Sequence, residues 1–315
     1  MCTDDVEPSD MVQNGQMNRV VRRVIEEGIP APLAVRYATL GGAIRFGLRD
    51  QGAIAAGYLA DLVLVESLET MRVRDVFVKG KQWVVDGELK NEIISTKSLS
   101  NENTVNISAL NEDDFVIHTP IKKGTVTLTT MEVTDIGTSV RDVVEVGVDD
   151  GRIKSLPPNH VFVSVTGRHG QNKKPFVGVL KGSGLKEGAY GTTMAHDSHN
   201  LVIIGTNAAD MLVVAHQLKA CGGGLCLACN GEIIDKIELP IAGLMASESM
   251  EKMAEKVENF SKNVLEMGIQ IGRRAPAMAL SSLALTVIPA IRISDLGLVD
   301  VEKQELIPLI SAVKE

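Results

Sequence analysis

The densest group of chemistry-bearing side chains in this sequence is Ala195-His196-Asp197-Ser198-His199-Asn200, set between a glycine-rich stretch and the apolar run Leu201–Ile204. Two histidines three apart around an aspartate have the chemistry to ligate a metal, shuttle protons or grip a polar heterocycle. The same residues also read as a polar turn in which Asp197 and Asn200 satisfy backbone groups ahead of a strand. They do not form a Ser-His-Asp triad, because contiguous residues on an extended chain point to opposite sides. A second group, Gly167-Arg168-His169-Gly170, sets a guanidinium and an imidazole between glycines. That suits contact with an anion or substrate, and equally an ordinary surface turn. A third group stands at Cys2-Thr3-Asp4-Asp5. A carboxylate pair leading into a helix is what the C-terminal end of a barrel strand presents to an active site. Asp4 there can bind a divalent cation and take a proton from metal-bound water; the alternative is that Asp4 or Asp5 caps a helix or turn.

Other motifs say less. Gly182-Ser183-Gly184 and Gly222-Gly223-Gly224 lack the Walker ending and the G-x-G-x-x-G spacing, so they read as turns or helix ends. Cys226-Leu227-Ala228-Cys229 has C-x-x-C spacing but no second ligand pair, so Cys221, Cys226 and Cys229 read as buried thiols of a reduced compartment. His118, His160 and His216 are isolated and read as structural or surface residues.

The elements that must position these residues follow from periodicity. Met11, Met17, Val20, Val21, Val24 and Ile25 form a helical stripe over 10–27, ended by Gly28 and Pro30. Pro32 opens a second helix through Leu33 and Tyr37, and Thr39 caps a third that stops at Gly47. Leu62–Val65 reads as a short buried strand. Val76–Val78 and Trp83–Val85 form a hairpin, and Asp86-Gly87 is the next turn. Residues 88–106 are polar and read as a linker or surface excursion. Strands are expected at 124–131, 142–148 and 160–165, and at the apolar runs 176–180 and 201–204, which suit strands covered on both faces. Asn207 caps a helix carrying Met211, Val214, Ala215 and Leu218, closed by Gly222. Asn230-Gly231 marks a type I′ hairpin. Ser247 begins an amphipathic helix that ends at Gly268. Apolar strands with flanking helices make the second part a layered α/β domain.

Composition bounds the class. The chain has 315 residues, 44% of them hydrophobic and 23% charged, enough to bury the cores of two domains. A net charge of −8 argues against nucleic acid or an anionic membrane as partner. The first residues are acidic and carry no apolar leader, and no run of 18 apolar residues is present for a membrane-spanning helix. A cytoplasmic location is the expectation.

With these residues in view, nearly the whole chain resembles the C-terminal portion of bacterial adenine deaminases, a family of the amidohydrolase superfamily. Cys2-Thr3-Asp4-Asp5, Ala38-Thr39-Leu40, Phe46-Gly47-Leu48 and Gly52–Val63 carry the superfamily resemblance. Arg168-His169-Gly170, Lys181-Gly182, Gly184-Leu185, Ala195–Asn200, Gly205-Thr206-Asn207, Gly222–Gly224, Leu239–Met245 and Asp295–Asp300 carry the more specific one. The resemblance implies an α/β architecture: the C-terminal end of an amidohydrolase (β/α)8 barrel over 1–49, a small composite β-domain and linker over 50–106, and an additional C-terminal α/β domain over 107–315. It implies deamination of adenine to hypoxanthine and ammonia, in purine salvage, at a manganese or iron centre. Asp4 then matches the carboxylate at the end of the last barrel strand, a metal contact and general base. His196, Asp197, His199, Arg168 and His169 become substrate-pocket candidates.

The sequence departs from that pattern at Gln16, where a histidine is expected in many relatives, and above all in the metal ligands. The family's His-x-His pair, bridging carboxylate and further histidine ligands have no counterpart among the six histidines here. The chain is therefore expected to be a C-terminal fragment with little or no activity alone, forming a homo-oligomer or associating with a missing N-terminal part. The alternative is an assembly module that complements a separately encoded half of a split amidohydrolase.

Overall fold

The computed structural model describes residues 1–90, 103–134, 137–171, 174–272 and 275–314. The chain divides into two compact units, Met1–Ser98 and Leu99–Glu315. The linker expected at 88–106 lies mostly outside the described residues.

In the first unit, helices α1 (Pro8–Asn14), α2 (Met17–Glu26), α3 (Ala31–Ala38) and α4 (Leu40–Arg45) precede strands β1 (Leu62–Val65), β2 (Val73–Val78), β3 (Lys81–Val85) and β4 (Glu88–Leu89). The stripe expected as one helix over 10–27 is two, because Gly15 takes a left-handed φ of 83° and breaks the run. Thr39 stands at the start of α4 but makes no side-chain cap: its backbone is not extended (φ −123°, ψ −94°), and its hydroxyl turns back to donate to the Val35 carbonyl at 2.8 Å. Val21, Ala34 and Met71 centre a small core, with Met17, Val24, Ile25 and Val65 packed around them. β1 is not the buried strand its sequence suggests. It is the edge of a four-stranded antiparallel sheet in the order β1-β2-β3-β4, with Val63 58% exposed and Leu64 37%.

Glu7, which precedes α1, is half-buried, and its Oε1 has no hydrogen-bond partner among the described residues. Burial, reinforced by the nearby Asp10 carboxylate, raises its pKa from 4.5 to about 7. Below 4.5 the group is protonated in both states; between 4.5 and 7 only the unfolded chain releases the proton. The first unit is therefore expected to lose stability as pH rises through that window. Glu7→Gln removes the penalty: in thermal melts the variant melts higher than the wild type at pH 8 and with it at pH 4. Equal melting at both pH values would refute the assignment.

The second unit holds β5 (Ile117–His118), β6 (Lys123–Val133), β7 (Ser139–Asp149), β8 (Arg152–Ile153), β9 (His160–Thr166), β10 (Phe176–Lys181), β11 (Ala189–Thr192), β12 (Leu201–Gly205), α5 (Ala208–Cys221), β13 (Gly224–Cys229), β14 (Glu232–Glu238), α6 (Met250–Glu266), β15 (Ile291–Ser294), β16 (Gly297–Asp300), β17 (Glu305–Ile307) and β18 (Ile310–Lys314). Its large sheet runs β14-β13-β11-β12-β9-β10-β6-β7-β8-β5, with β18 also on β6. The β6–β10 pair is parallel; the other pairs of this sheet are antiparallel.

Two-residue alternation sorts its central strands into two cores. Val161, Val163, Val165, Val202, Ile204, Leu225 and Leu227 pack with α6, Ile269, Ile271 and residues 277–284 on one side. Phe162, Leu201, Ile203, Cys226 and Ala228 pack with α5 and residues 105–121 on the other. The sheet is thus covered on both faces, as the apolar runs require.

Asn207 caps α5 by accepting the Asp210 amide, and Gly222 closes it in a left-handed turn. α6 begins two residues later than expected, because Ser249, not Ser247, has its hydroxyl at the amide of Lys252. β11 reads as glycine-rich loop in the sequence, yet it is fully buried. A Cβ at Gly191 would lie 2.5 Å from a methyl of Val214, so glycine is what lets α5 lie on this strand. The small sheet β15-β16-β17 was also not expected; its strands are four residues or fewer.

The cysteines are free thiols. Cys226 is buried in the core under α5, and desolvation pushes its pKa up to about 12. A thiol-disulfide exchange reagent at pH 8 is expected to modify exposed Cys2 rapidly and leave Cys226 unmodified until the second unit unfolds. Labelling of Cys226 at the rate of Cys2, read by peptide mass spectrometry, would contradict its place in the core.

Candidate functional site

Four segments remote in sequence meet at one end of the large sheet. β9 ends at Thr166, beside Leu201, the first residue of β12. β11 ends at Thr192, level with Val202 on one side and Leu225 on the other. β13 starts at Gly224, opposite Glu238 at the end of β14. The loops leaving this edge are 167–171, 193–200, 222–223 and 239–245, and they carry all five substrate-pocket candidates, Arg168, His169, His196, Asp197 and His199.

Arg168 is at the centre. It is 2% exposed. Its Nε donates to the His199 carbonyl in a short bond, its Nη1 to Thr104 Oγ1 at 2.9 Å and to the Thr104 carbonyl at 3.4 Å, and its Nη2 to the Ala242 carbonyl at 2.9 Å. Gly243 lies flat against the guanidinium: a Cβ there would be 2.9 Å from Nη1 and 3.1 Å from Cζ. Thr193, fully buried, ties the next loops together. Its Oγ1 donates to the Gly243 carbonyl at 2.7 Å and accepts from the Gly224 amide at 2.8 Å.

The histidines ride on this frame. His169 is exposed, and its Nε2–H donates to the Ser198 carbonyl at 2.8 Å, which fixes the tautomer of that ring. The His196 amide donates to the Ser281 carbonyl at 2.8 Å, and the His199 amide to the Ala195 carbonyl at 2.7 Å. The rings of His196 and His199 meet edge-on with centroids 5.5 Å apart. His199 takes a left-handed φ of 51°. Its Nδ1 is buried without a hydrogen-bond partner among the described residues.

Burial, then the neighbouring charges of His196, Arg168 and His169, hold the His199 pKa below the ordinary imidazole value; Asp197, which is exposed, opposes them. At neutral pH His199 is therefore an uncharged imidazole with a nitrogen to offer. Such a group recognises a neutral polar ligand by hydrogen bonding and does not serve as a cation for phosphate. Arg168 is held by backbone carbonyls and the Thr104 hydroxyl, with no carboxylate among its hydrogen-bond partners in the described residues.

Sequence reasoning found Arg168, His169, His196, Asp197 and His199, and they are one cluster. It did not single out Thr104 or Thr193, nor Gly243 within the motif Leu239–Met245, because their importance lies in contacts far along the chain. It also missed Arg292, a second buried guanidinium held by backbone carbonyls, those of Gly137 and Ile291, with Ser139. Asp295 stands at the same sheet edge, its Oδ2 3.5 Å from where a Gly167 Cβ would be. A cleft of about 570 Å³ lined by Phe115, Arg152, Lys154, Phe162 and Ala208 includes none of the cluster residues.

Asp4 belongs to the first unit. It sits in irregular backbone ahead of α1 with a φ of 55°, exposed, and its Oδ1 accepts the amide of Asp5 at 3.0 Å. It does not cap α1, whose capping position is Glu7. Among the described residues no group of three or more His, Cys, Asp or Glu converges as metal ligands, so these residues do not by themselves fit a catalytic metal ion. No helix among them is long and apolar enough to cross a membrane.

Comparison with known proteins places these observations. Residues 138–305 match the adenine deaminase C-terminal domain, and residues 1–83 match the amidohydrolase family. The chain is 35% identical to an adenine deaminase of Kosmotoga olearia, over 98% of its own length and 53% of the relative's. It is 36% identical to one from Clostridium acetobutylicum over 95% and 52%, and 32% identical to adenine deaminase 2 of Carboxydothermus hydrogenoformans over 98% and 53%. The chain spans about half the length of the curated relatives it matches.

Proposed function

Because the chain belongs to the family of the adenine deaminase C-terminal domain, we propose that it is part of an enzyme that hydrolyses adenine to hypoxanthine and ammonia. Water adds at the carbon bearing the exocyclic amine and the carbon–nitrogen bond breaks; one proton of the water leaves with the amine as ammonia, and the other ends on the adjacent ring nitrogen of hypoxanthine. In this reading residues 1–49 are the C-terminal end of an amidohydrolase barrel, and Asp4 is the carboxylate that takes the proton from the attacking water. The divalent ion of such a centre, manganese or iron, lowers the pKa of water when bound. It needs several protein ligands, and Asp4 is the single one of the family's set that this sequence matches. The location proposed is cytoplasmic, the role purine salvage, and the working form an oligomer.

The observation that carries the proposal beyond family membership is the convergence of 168–169, 193–200, 222–224 and 239–243 on one sheet edge, with an uncharged His199 among them. An aromatic base such as adenine is neutral and edged with donors and acceptors, which suits an imidazole whose charged form is disfavoured, as burial disfavours that of His199. His196 and His199 are the residues proposed to face it, with Asp197 at the exposed rim. The test uses the 315-residue chain with ¹³C-labelled histidine. Adenine is expected to shift the ring resonances of His196 and His199, and adenosine and guanine to do so less. In parallel, the chain with added Mn²⁺ or Fe²⁺ is expected to release no ammonia from adenine. Absence of any adenine-induced shift would remove the pocket assignment, and turnover would show that the chain carries a complete centre.

A further inference from the structure

We propose that Arg168 is a positioning residue: its guanidinium clamps the backbones of three segments remote in sequence and so sets the pose in which His196 and His199 are presented. The role rests on the reading of that pair as ligand-facing; the clamp itself rests on geometry alone.

Arginine between two glycines at the end of a strand invites a reading as an anion contact. The structure uses it differently. The side chain is buried, and its donors go to main-chain carbonyls of Thr104, His199 and Ala242 and to the Thr104 hydroxyl. These acceptors lie on three stretches separated by 95 and 43 residues (199 − 104 and 242 − 199). A planar fork can serve diverging acceptors at once; an ammonium is a single point and cannot reproduce that geometry. Gly243 is the complementary surface, since any side chain there would overlap the guanidinium.

The next residue completes the hold. His169 takes the Ser198 carbonyl while Arg168 takes that of His199, so two adjacent residues at the end of β9 capture two adjacent peptide groups of the histidine turn. With the His196 amide on Ser281 and the His199 amide on Ala195, the turn is gripped from β9, from within and from the 275–284 stretch. Backbone at left-handed φ is costly for a histidine and persists where its surroundings over-determine it.

The test is made on the 315-residue chain without ligand, reading the ring resonances, tautomers and titrations of its six histidines. Arg168→Met is expected to move the His196 and His199 ring signals while His118, His160 and His216 stay in place. The His199 titration should move up, since a neighbouring cation is gone and solvent enters. Arg168→Lys keeps the charge and loses the fork. It should displace the ring signals almost as far while raising the titration less. Thr104→Val, which removes one acceptor and is expected to fold, should give a smaller displacement of the same two rings. It keeps the test valid should Arg168→Met not fold. Unchanged His196 and His199 signals in folded Arg168→Lys or Thr104→Val would overturn the clamp. Because no adenine is present, this outcome is independent of whether the pocket binds a purine, which the adenine titration decides separately.

Discussion

Gly224→Ala is expected to destabilise the second unit by about 3 kcal/mol or more, the sum of left-handed strain, backbone overlap and disturbed hydrogen bonds. Gly224 opens β13 with a φ of 138°, and a Cβ placed on it would lie 1.9 Å from the Ile237 carbonyl oxygen and 3.0 Å from its carbon. That neighbour is backbone of the paired strand, so it cannot swing aside as a side chain would. Relief requires β13 and β14 to part where Gly224 faces Glu238. The movement also pulls on Thr193, whose amide donates to the Gly224 carbonyl at 3.0 Å and whose hydroxyl accepts the Gly224 amide. Through Thr193 and Gly243 the strain reaches Arg168, so the variant should disturb the histidine cluster as well. The control is Gly231→Ala in the hairpin turn of the same two strands. There φ is 80° and nothing lies within 4 Å of the added carbon, so only the conformational cost of roughly 1–2 kcal/mol applies. Denaturant unfolding that gives both variants the same midpoint would show that Gly224 is required for its φ alone.

Phe260→Ala is expected to cost a further class of energy, roughly 3–5 kcal/mol from lost transfer and an unfilled cavity. Phe260 is fully buried on the inward stripe of α6, with Met253, Val257 and Val264 above and below it on the helix. Its ring meets Tyr190 of β11 at a centroid distance of 5.6 Å and a tilt of 56°. Tyr190 in turn donates its hydroxyl to the Ala277 carbonyl at 2.7 Å, so the ring pair anchors the 275–284 stretch from which Ser281 holds His196. For a unit of this size the cost corresponds to a melting-point loss on the order of 10 °C. Leu265→Ala on the same helix, 48% exposed, should fall within about 0.5 kcal/mol of the wild type. Similar losses for the two variants in calorimetry would mean that α6 does not close this core.

Much of the second unit was legible because its signals are local. Asn207 and Gly222 bound α5, Asn230-Gly231 turns β13 into β14, and the apolar runs 176–180 and 201–204 are strands covered on both sides. What failed has physical reasons as well. β11 has the composition of a loop, and only the closeness of α5 explains a glycine within a buried strand. Val63 and Leu64 look like core residues, but β1 is an edge strand in its own unit. Thr39 and Ser247 carry the right side chain for a cap, but the hydroxyl of Thr39 turns back to Val35, and Ser249 takes the capping position of α6.

The sequence by itself determined the family resemblance, the helix ends and strand runs, and the identities of the candidate residues, because side-chain type and short-range spacing are written in it directly. It left Arg168 open between an anion contact and a turn residue, and it left His196 and His199 open between a metal site, a proton relay and a heterocycle grip. Tertiary structure alone decided that Arg168 spends its donors on the carbonyls of Thr104, His199 and Ala242, and that burial beside it lowers the His199 pKa. The reason is that hydrogen-bond partners and desolvation depend on which distant segments are brought together, and here they are joined by strand pairing over long sequence separations.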